Sequence, residues 1–462
     1  MLEIVRQIRA VTRLKPFDTA TPEGRSLERY RRIVLTTASG MAVRGVGVLI
    51  GLLTVPLLLS YLGKERFGLW TAITTIVTWA TLFDFGLSNG LVNLISRAHG
   101  RENRAEATQA FSTAILALGA VALVLGFCAL LALPAVSWSD LLGVRGVVDE
   151  STVRWSVAAA LGSFLLSLPL SAVPQLYSGY QKTYWTNVFA LAGSAVGLGV
   201  LLAAVRAEAE MPVLVLAISS MGLLTSLLAL AFARQALPWI EVRARHVSLV
   251  ALRALSKRSF PIFLYQLGAL TVNETQVIIL ARRSDLATVT DYAIVLRLYL
   301  VIVSVIQLGT SSFMPPFREA YERGDLDWAR RAFQHLQRVR LLMAIGGGLG
   351  LVLLGNTVIR VWLHRGDVAF RWPVWVALAV LLLATVWGTA YVEFLWIMDR
   401  LWPLVVLVAM NGVTTVVLTW LTVPTHGVLG AVVASTVFTA LVSSWALPTL
   451  ARPLLIPATK SG

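Results

Sequence analysis

The fold is indicated most directly by Thr108–Leu133, TQAFSTAILALGAVALVLGFCALLAL, which contains no Asp, Glu, Lys or Arg. An α-helix needs about 20 predominantly apolar residues to cross the core of a bilayer. A run of this length and apolarity therefore predicts a transmembrane helix. The single cysteine of the chain, Cys128, lies within this run, so no disulfide bond can form within one chain.

Similar apolar runs recur along the chain and are separated by short polar connections. They predict about twelve transmembrane helices, with approximate spans 33–62, 67–96, 108–133, 155–179, 184–205, 211–234, 259–281, 290–316, 341–363, 372–397, 401–422 and 427–449. The composition agrees, because 57% of the residues are hydrophobic, 14% are charged and the mean hydropathy is +0.76. The runs are too long and too uniformly apolar for barrel strands. We therefore predict an all-α membrane protein.

The distribution of positive charge predicts the orientation in the membrane. The net charge is +15, which in a soluble protein would point to nucleic acid as a partner. With a cytosolic N-terminus, about 27 of the 39 Lys and Arg residues fall in cytosolic segments. This pattern predicts a multi-pass protein of the bacterial inner (plasma) membrane with both termini cytosolic and no nucleic-acid partner. The basic clusters then lie against anionic lipid head groups.

The longest cytosolic connection falls midway along the chain and suggests a duplication of six helices. Weak matches between the halves, such as residues 61–70 with 283–292, follow the same order in both. Because six is even, the repeats would share one orientation, as in two-lobed transporters. The predicted segments are a basic cytosolic extension (1–32), an N-terminal six-helix lobe (33–234), a basic connection (235–258), a C-terminal six-helix lobe (259–450) and a cytosolic tail (451–462).

Four ionisable residues lie well inside apolar runs: Arg44, Asp84, Glu274 and Arg297. Charged side chains are unfavourable in lipid, so these four are expected to face the protein interior or water. In one interpretation they form two ion pairs, Arg44 with Asp84 and Glu274 with Arg297. In the other, the arginines line a central cavity and bind an anionic head group, while the acids position them or couple to a cation. An arginine suits phosphate because its planar fork donates paired hydrogen bonds and stays charged.

Polar side chains follow helical spacing in two of the predicted helices. Helix 2 carries Thr78 and Thr81 in line with Asp84, and helix 7 carries Gln266 and Asn273 beside Glu274. We expect both faces to point inward as part of a substrate cavity. The alternative is that they only bond neighbouring helices, as Ser, Thr and Asn commonly do in membranes.

Several short motifs resemble metal-binding or phosphate-binding sites but do not predict such a site. Asp325-Leu-Asp327 has the spacing of a metal-binding carboxylate pair, but it opens a helical stretch and is typical of a helix start. The five histidines form no metal-binding pair at helical spacing, and no phosphate-binding loop with a lysine is present. The sequence therefore predicts neither a metal site nor a catalytic residue, and the protein is not expected to be an enzyme.

Two blocks carry a resemblance to a known family: residues 54–70, TVPLLLSYLGKERFGLW, and residues 82–91, LFDFGLSNGL. They resemble the Wzx-type polysaccharide flippases of the multidrug/oligosaccharidyl-lipid/polysaccharide (MOP) transporter superfamily. Weaker similarity continues at residues 176–181, LYSGYQ, and 291–297, DYAIVLR, so the resemblance covers most of the chain.

This resemblance implies two six-helix bundles in a V shape, as in MATE transporters, with a cavity that opens alternately to each side. It implies transport of undecaprenyl-diphosphate-linked oligosaccharide to the external leaflet for O-antigen or exopolysaccharide. Transport would be coupled to Na⁺ or H⁺ without a resident cofactor, and the polysaccharide polymerase machinery would be a partner. Arg44 and Arg297 fit the family's cavity arginines.

Two rival functions remain. A multidrug exporter of the same superfamily would share the fold and would use Glu274 or Asp84 as its cation site. A membrane-embedded glycan enzyme would need a cluster of carboxylates or histidines on a loop, and the sequence offers none. The external connections are also too short to hold a folded domain.

Overall fold

The computed structural model describes residues 17–18, 21–142, 144, 148–236, 240–310, 325–364, 368–398 and 400–455. Within these ranges the chain forms α-helices and short helical turns and no β-strand, so the prediction of an all-α protein is confirmed. Most of the predicted N-terminal extension and of the predicted tail lies outside the described residues, and so does the end of the predicted span 290–316.

The helices closely follow the apolar runs of the sequence. In chain order they are α1 (Pro22–Ala80), α2 (Leu87–Gly100), α3 (Arg104–Ala135), α4 (Trp138–Leu141), α5 (Glu150–Leu170), α6 (Ala172–Gly179), α7 (Thr183–Arg206), α8 (Met211–Ala236), α9 (Leu249–Arg283), α10 (Leu286–Thr310), α11 (Leu326–Leu363), α12 (Trp372–Ile397), α13 (Leu401–Phe438) and α14 (Ser444–Leu455).

Nine helical stretches of the described chain are long and apolar enough to cross a membrane. Two of them contain a break at a predicted boundary, at Gly63 in α1 (φ 75°) and at Gly427 in α13 (φ 50°). Glycine adopts these positive φ angles without the strain that a Cβ would cause. The predicted span 259–281 lies within α9, which is not among the nine. The count of twelve crossings therefore stays a prediction.

The predicted span 67–96 is not one continuous helix. Helix α1 ends at Ala80, a 3₁₀ turn covers Thr81–Asp84, and α2 begins at Leu87. Between them, Phe85 (φ 50°) and Gly86 (φ 72°) adopt left-handed conformations that no helix interior allows. The prediction of one continuous helix over 67–96 is therefore wrong, whereas Thr78, Thr81 and Asp84 all lie before the break.

Helix α3 shows how the apolar surface is distributed. Leu123 is 78% exposed, Leu130 71% and Phe127 65%, while Ala114 and Leu118 on the same helix are fully buried. An exposed apolar face of this size is stable in lipid and would be a liability in water. Together with the helix lengths, it identifies a multi-pass membrane protein.

Packing divides the chain into two compact units. The first comprises Met1–Leu49, Phe83–Ala135 and Ser156–Phe260, and the second comprises Ile50–Leu82, Val136–Trp155 and Pro261–Gly462. The second unit therefore combines the C-terminal half with two short stretches of the N-terminal half. The predicted six-helix lobes, 33–234 and 259–450, stay a prediction.

Candidate functional site

The side chain of Arg297 lies against a glycine of another helix. It lies on α10, and its guanidinium rests directly against the backbone of α1 at Gly51, which is buried. A Cβ atom added to Gly51 would lie 1.3 Å from Nη2 of Arg297 and 2.1 Å from its Cζ. Both residues belong to the second unit. The guanidinium therefore occupies space that exists only because residue 51 lacks a side chain.

The charge of Arg297 has no counterpart within the described part of the chain. The half-buried side chain makes neither an ion pair nor a hydrogen bond there. A guanidinium carries five N–H donors and stays protonated, so an unpaired one at membrane depth is costly. An anionic ligand would compensate the charge and accept its hydrogen bonds.

Glu274 is bound to Thr75, which is not among the predicted site residues. Its Oε2 accepts a hydrogen bond of 3.3 Å from Oγ1 of Thr75, which is 3% exposed. The predicted ion pair with Arg297 is not formed. Thr75 is on the same helix as the predicted Thr78 and Thr81, and its bond to Glu274 depends on the packing of α1 against α9.

The other predicted ion pair, between Arg44 and Asp84, is also absent. Arg44 is exposed on α1 and makes no ion pair within the described residues. Oδ1 of Asp84 accepts a hydrogen bond of 3.0 Å from the backbone N–H of Ser88. It therefore satisfies a free amide in the first turn of α2, the role that Asp commonly takes at helix starts.

The remaining predicted residues mostly bond their own helices. Oγ1 of Thr78 donates to the carbonyl of Thr74 at 3.1 Å, and Oγ1 of Thr81 donates to that of Thr78 at 2.6 Å. Gln266 is exposed. Asn273 donates from Nδ2 to the carbonyl of Ala269 at 2.7 Å. These bonds leave the hydroxyl and amide oxygens as acceptors, but they do not join one helix to another.

Of the predicted residues, Asn273 alone lines a cavity of about 260 Å³ in the second unit. The cavity lies among α9, α10, α12 and α13, and its polar wall includes Tyr299, whose hydroxyl donates to Oγ1 of Thr385 at 2.9 Å. At the same wall Tyr292 donates to the side chain of Gln276, which in turn donates to Ser435. The described lining contains no charged residue.

Two of the stretches that carry the sequence resemblance, residues 54–70 and 291–297, meet in the second unit. Nζ of Lys64 forms an ion pair with Asp291 at 2.8 Å, and Oγ1 of Thr290 donates to the carbonyl of Lys64 at 2.5 Å. Nearby, a Cβ atom on Gly68 would lie 2.2 Å from the carbonyl oxygen of Leu286. This contact holds the second part of α1 against the start of α10.

In the first unit, the start of α1 carries a tightly paired charge. Glu28 is 4% exposed and accepts hydrogen bonds from Arg31 (2.7 and 2.8 Å), Arg32 (2.9 Å) and the backbone N–H of Phe17 (3.0 Å). Burial alone would raise the pKa of Glu28, but the hydrogen bonds from Arg31, Phe17 and Arg32 outweigh it and lower the pKa to about 2. This carboxylate therefore stays ionised at neutral pH.

Comparison with solved structures defines the class of fold. The chain is similar to the inward-facing conformation of a multidrug resistance MATE family transporter of the MOP superfamily, with a TM-score of 0.69, 14% identity and 98% coverage of both chains. It is also similar to the lipid II flippase MurJ in an inward closed conformation, with a TM-score of 0.67, 14% identity and coverage of 91% of this chain and 87% of that one. The protein thus has the fold of MOP-superfamily transporters.

Sequence comparison gives the family. The chain belongs to the polysaccharide biosynthesis protein family, whose family model matches residues 34–320. It is also similar to the "Putative O-antigen export protein" of Yersinia pseudotuberculosis, with 21% identity over 423 residues, 90% of this chain and 94% of the relative. The resemblance inferred from residues 54–70 and 82–91 is confirmed at the level of family and superfamily.

Proposed function

We propose that the protein transports undecaprenyl-diphosphate-linked oligosaccharide from the cytosolic to the external leaflet of the inner membrane. The observation that carries the proposal is the contact of Arg297 with Gly51, which places at membrane depth a guanidinium without a partner among the described residues. Membership in the polysaccharide biosynthesis family supports a lipid-linked glycan as the cargo. Both termini lie in the cytosol in this proposal, as the distribution of Lys and Arg predicts.

The diphosphate is the part of this substrate that Arg297 would bind. Its oxygens match the paired N–H donors of a guanidinium, and such charge-assisted bonds are about twice as strong as neutral ones. Gly51 would keep the guanidinium at one place, so that little side-chain freedom is lost on binding. Arg44, exposed in the first unit, would supply a positive charge at another stage of the passage.

In this proposal, Glu274 binds the ion that couples transport to an ion gradient. Its hydrogen bond from Thr75 accounts for one carboxylate oxygen and leaves the other for Na⁺ or for a proton. No resident cofactor and no catalytic step are part of the proposal. The product, an externally oriented lipid-linked oligosaccharide, would pass to the polysaccharide polymerase machinery.

Deletion of the gene in its native host tests the proposal. We expect lipid-linked oligosaccharide to accumulate on the cytosolic leaflet, surface polysaccharide to disappear, and the intact gene to restore both. The Arg297→Ala gene, expressed to the same level in the membrane, should fail to restore them. Accumulation on the external leaflet would contradict transport and would indicate a later step of assembly.

The alternative is cation-coupled drug export, which shares the fold. Drug export predicts a different result for the same gene deletion. Surface polysaccharide would be unchanged, and sensitivity to cationic compounds would rise. The cavity among α9, α10, α12 and α13 has no charged residue in its described lining, so it offers a cationic drug no ion pair. We therefore retain glycan-lipid transport as the proposed function.

A further inference from the structure

A second cavity, of about 440 Å³, lies in the second unit away from Arg297. It is formed where the N-terminal part of α11, the C-terminal part of α12 and α14 come together. Three exposed arginines line it, Arg330 and Arg338 from α11 and Arg452 from α14. According to the predicted topology this end of the unit is cytosolic.

Helical spacing explains which residues of α11 line this cavity. Arg330, Gln334 and Arg338 are four residues apart and therefore share one face of the helix. Phe333 and Gln337 lie on the neighbouring face and are 6% and 5% exposed. The cavity thus has a basic rim above a buried floor.

The floor of the cavity is aromatic and fixed by contacts. The ring of Tyr391 lies 5.2 Å from that of Phe333 and 5.3 Å from that of Trp387. Trp387 donates from Nε1 to the carbonyl of Ser444 at 2.7 Å and accepts a 3.2 Å bond at its own carbonyl from Nε2 of Gln337. Tyr and Trp side chains of this kind are typical of the membrane interface, where one end is apolar and the other is wet.

No acidic side chain neutralises the three arginines in the described lining. Glu393 is the only acid of α12, and it is bound to the buried Arg340 at 2.7 Å. Helix α14 has no acid, and the acid in the first turn of α11, Asp327, is exposed and not part of the cavity wall. The cavity therefore carries a net positive charge.

We propose that this cavity binds the head group of an anionic phospholipid from the cytosolic leaflet. The phosphate would be held by Arg330, Arg338 and Arg452, and the glycerol and the first carbons of the chains would lie against Tyr391 and Trp387. A basic pocket between transmembrane helices on the cytosolic side is the usual form of such a site. A soluble anion would use the three charges but not the aromatic floor, which is why we assign a lipid.

Native mass spectrometry of the delipidated full chain tests this site. Phosphatidylglycerol and phosphatidylcholine with the same acyl chains are titrated separately against the protein. Each arginine is expected to contribute about fivefold to the affinity for the anionic lipid. The variant with Arg330→Gln, Arg338→Gln and Arg452→Gln should therefore lose about a hundredfold for phosphatidylglycerol and little for phosphatidylcholine.

Arg331→Gln is the matched control, because Arg331 is adjacent on α11 and exposed but does not line the cavity. It should bind phosphatidylglycerol as the wild type does. An equal loss in Arg331→Gln and Arg330→Gln would overturn the proposal. Equal affinity of the wild-type protein for the two lipids would do the same, and this result does not depend on whether any variant folds.

Inorganic pyrophosphate separates a lipid from a free anion. If the cavity holds a lipid, pyrophosphate at the concentration of the lipid should displace little phosphatidylglycerol, because it lacks the contacts to the aromatic floor. Complete displacement at equal concentration would overturn the assignment to a phospholipid and indicate a site for soluble phosphates. Arg297→Ala should bind phosphatidylglycerol normally, so the test is independent of the proposed transport function.

Discussion

Arg44 and Arg297 occupy equivalent places in the sequence pattern, each in an apolar run next to a run that contains one acid. Their surroundings differ. Arg44 is exposed and has no partner among the described residues, whereas Arg297 is half-buried with its guanidinium on Gly51. The acids differ too, since Asp84 bonds the backbone at the start of α2 and Glu274 bonds the side chain of Thr75.

Of the two arginines, only Arg297 is held in position by a neighbouring helix within the described chain. At Arg297 the fixed position comes from a missing side chain at residue 51. At Arg44 no comparable contact is present in the described chain, so its side chain keeps its freedom. The two arginines should therefore respond unequally to substitution.

The largest effect is expected for Arg297→Ala, which should lower transport by about a hundredfold or more, because the half-buried positive partner of the diphosphate is lost. Arg44→Ala should cost about tenfold, the scale of a more exposed charge. Restoration of surface polysaccharide in the deletion host, at matched membrane levels of each variant, measures both. A larger loss of transport in Arg44→Ala than in Arg297→Ala would contradict this expected order.

The next effect is expected for Gly51→Ala. The added Cβ would overlap the guanidinium, which can move because it is the end of a flexible side chain, so the protein should fold while transport falls by about tenfold. Gly47→Ala on the same helix is the control, because nothing lies within 4 Å of its Cβ position. Equal transport by the two variants would show that the contact between Arg297 and Gly51 has no functional role.

A smaller effect, on stability, is expected at Asp84. Asp84→Ala should lower the free energy of unfolding in detergent by about 1 kcal/mol, because an amide at the start of α2 loses its acceptor. Asp84→Asn keeps an acceptor oxygen and should stay within about 0.5 kcal/mol of the wild type. If Asp84→Asn abolishes transport while remaining as stable as the wild type, the charge of Asp84 has a role beyond the helix start.

The narrowest effect, confined to acid pH, concerns Glu28, whose carboxylate is bound by Arg31 and Arg32 on the same helix as Arg44. Its pKa in the folded protein is about 2, below the usual 4.5, so its ionised form stabilises the fold above pH 4.5. That contribution should be lost as the pH falls from 4.5 toward 2. Unfolding followed by intrinsic fluorescence across this range should show a shallower pH dependence in Glu28→Gln than in the wild type.

Much of the fold could be predicted from the sequence because long apolar runs have few alternatives to helices in lipid. The predicted span 372–397 coincides with α12, and the break between the first two predicted spans falls at Gly63. The break after Ala80 was missed because the apolar residues continue on both sides of Asp84 and Gly86, although Asp and Gly are typical of turns and helix starts.

The candidate site was predicted only in part. The ionisable residues stand out by composition alone, but their partners depend on which helices cross, and sequence periodicity does not give that. Thr75 and Gly51 are ordinary residues of α1 until α9 and α10 are packed against them. The apolar runs contain many other glycines and threonines, so no local signal could have distinguished these two.

The most direct test of the central claim is transport in proteoliposomes that contain only this protein and fluorescent undecaprenyl-diphosphate-linked oligosaccharide. The fraction of lipid reached by an impermeant quencher is followed after an ion gradient is imposed. We expect net movement of the diphosphate-linked lipid across the bilayer with the wild-type protein and none above background with Arg297→Ala. Equal movement by the two proteins, or no movement by the wild type, would contradict the account.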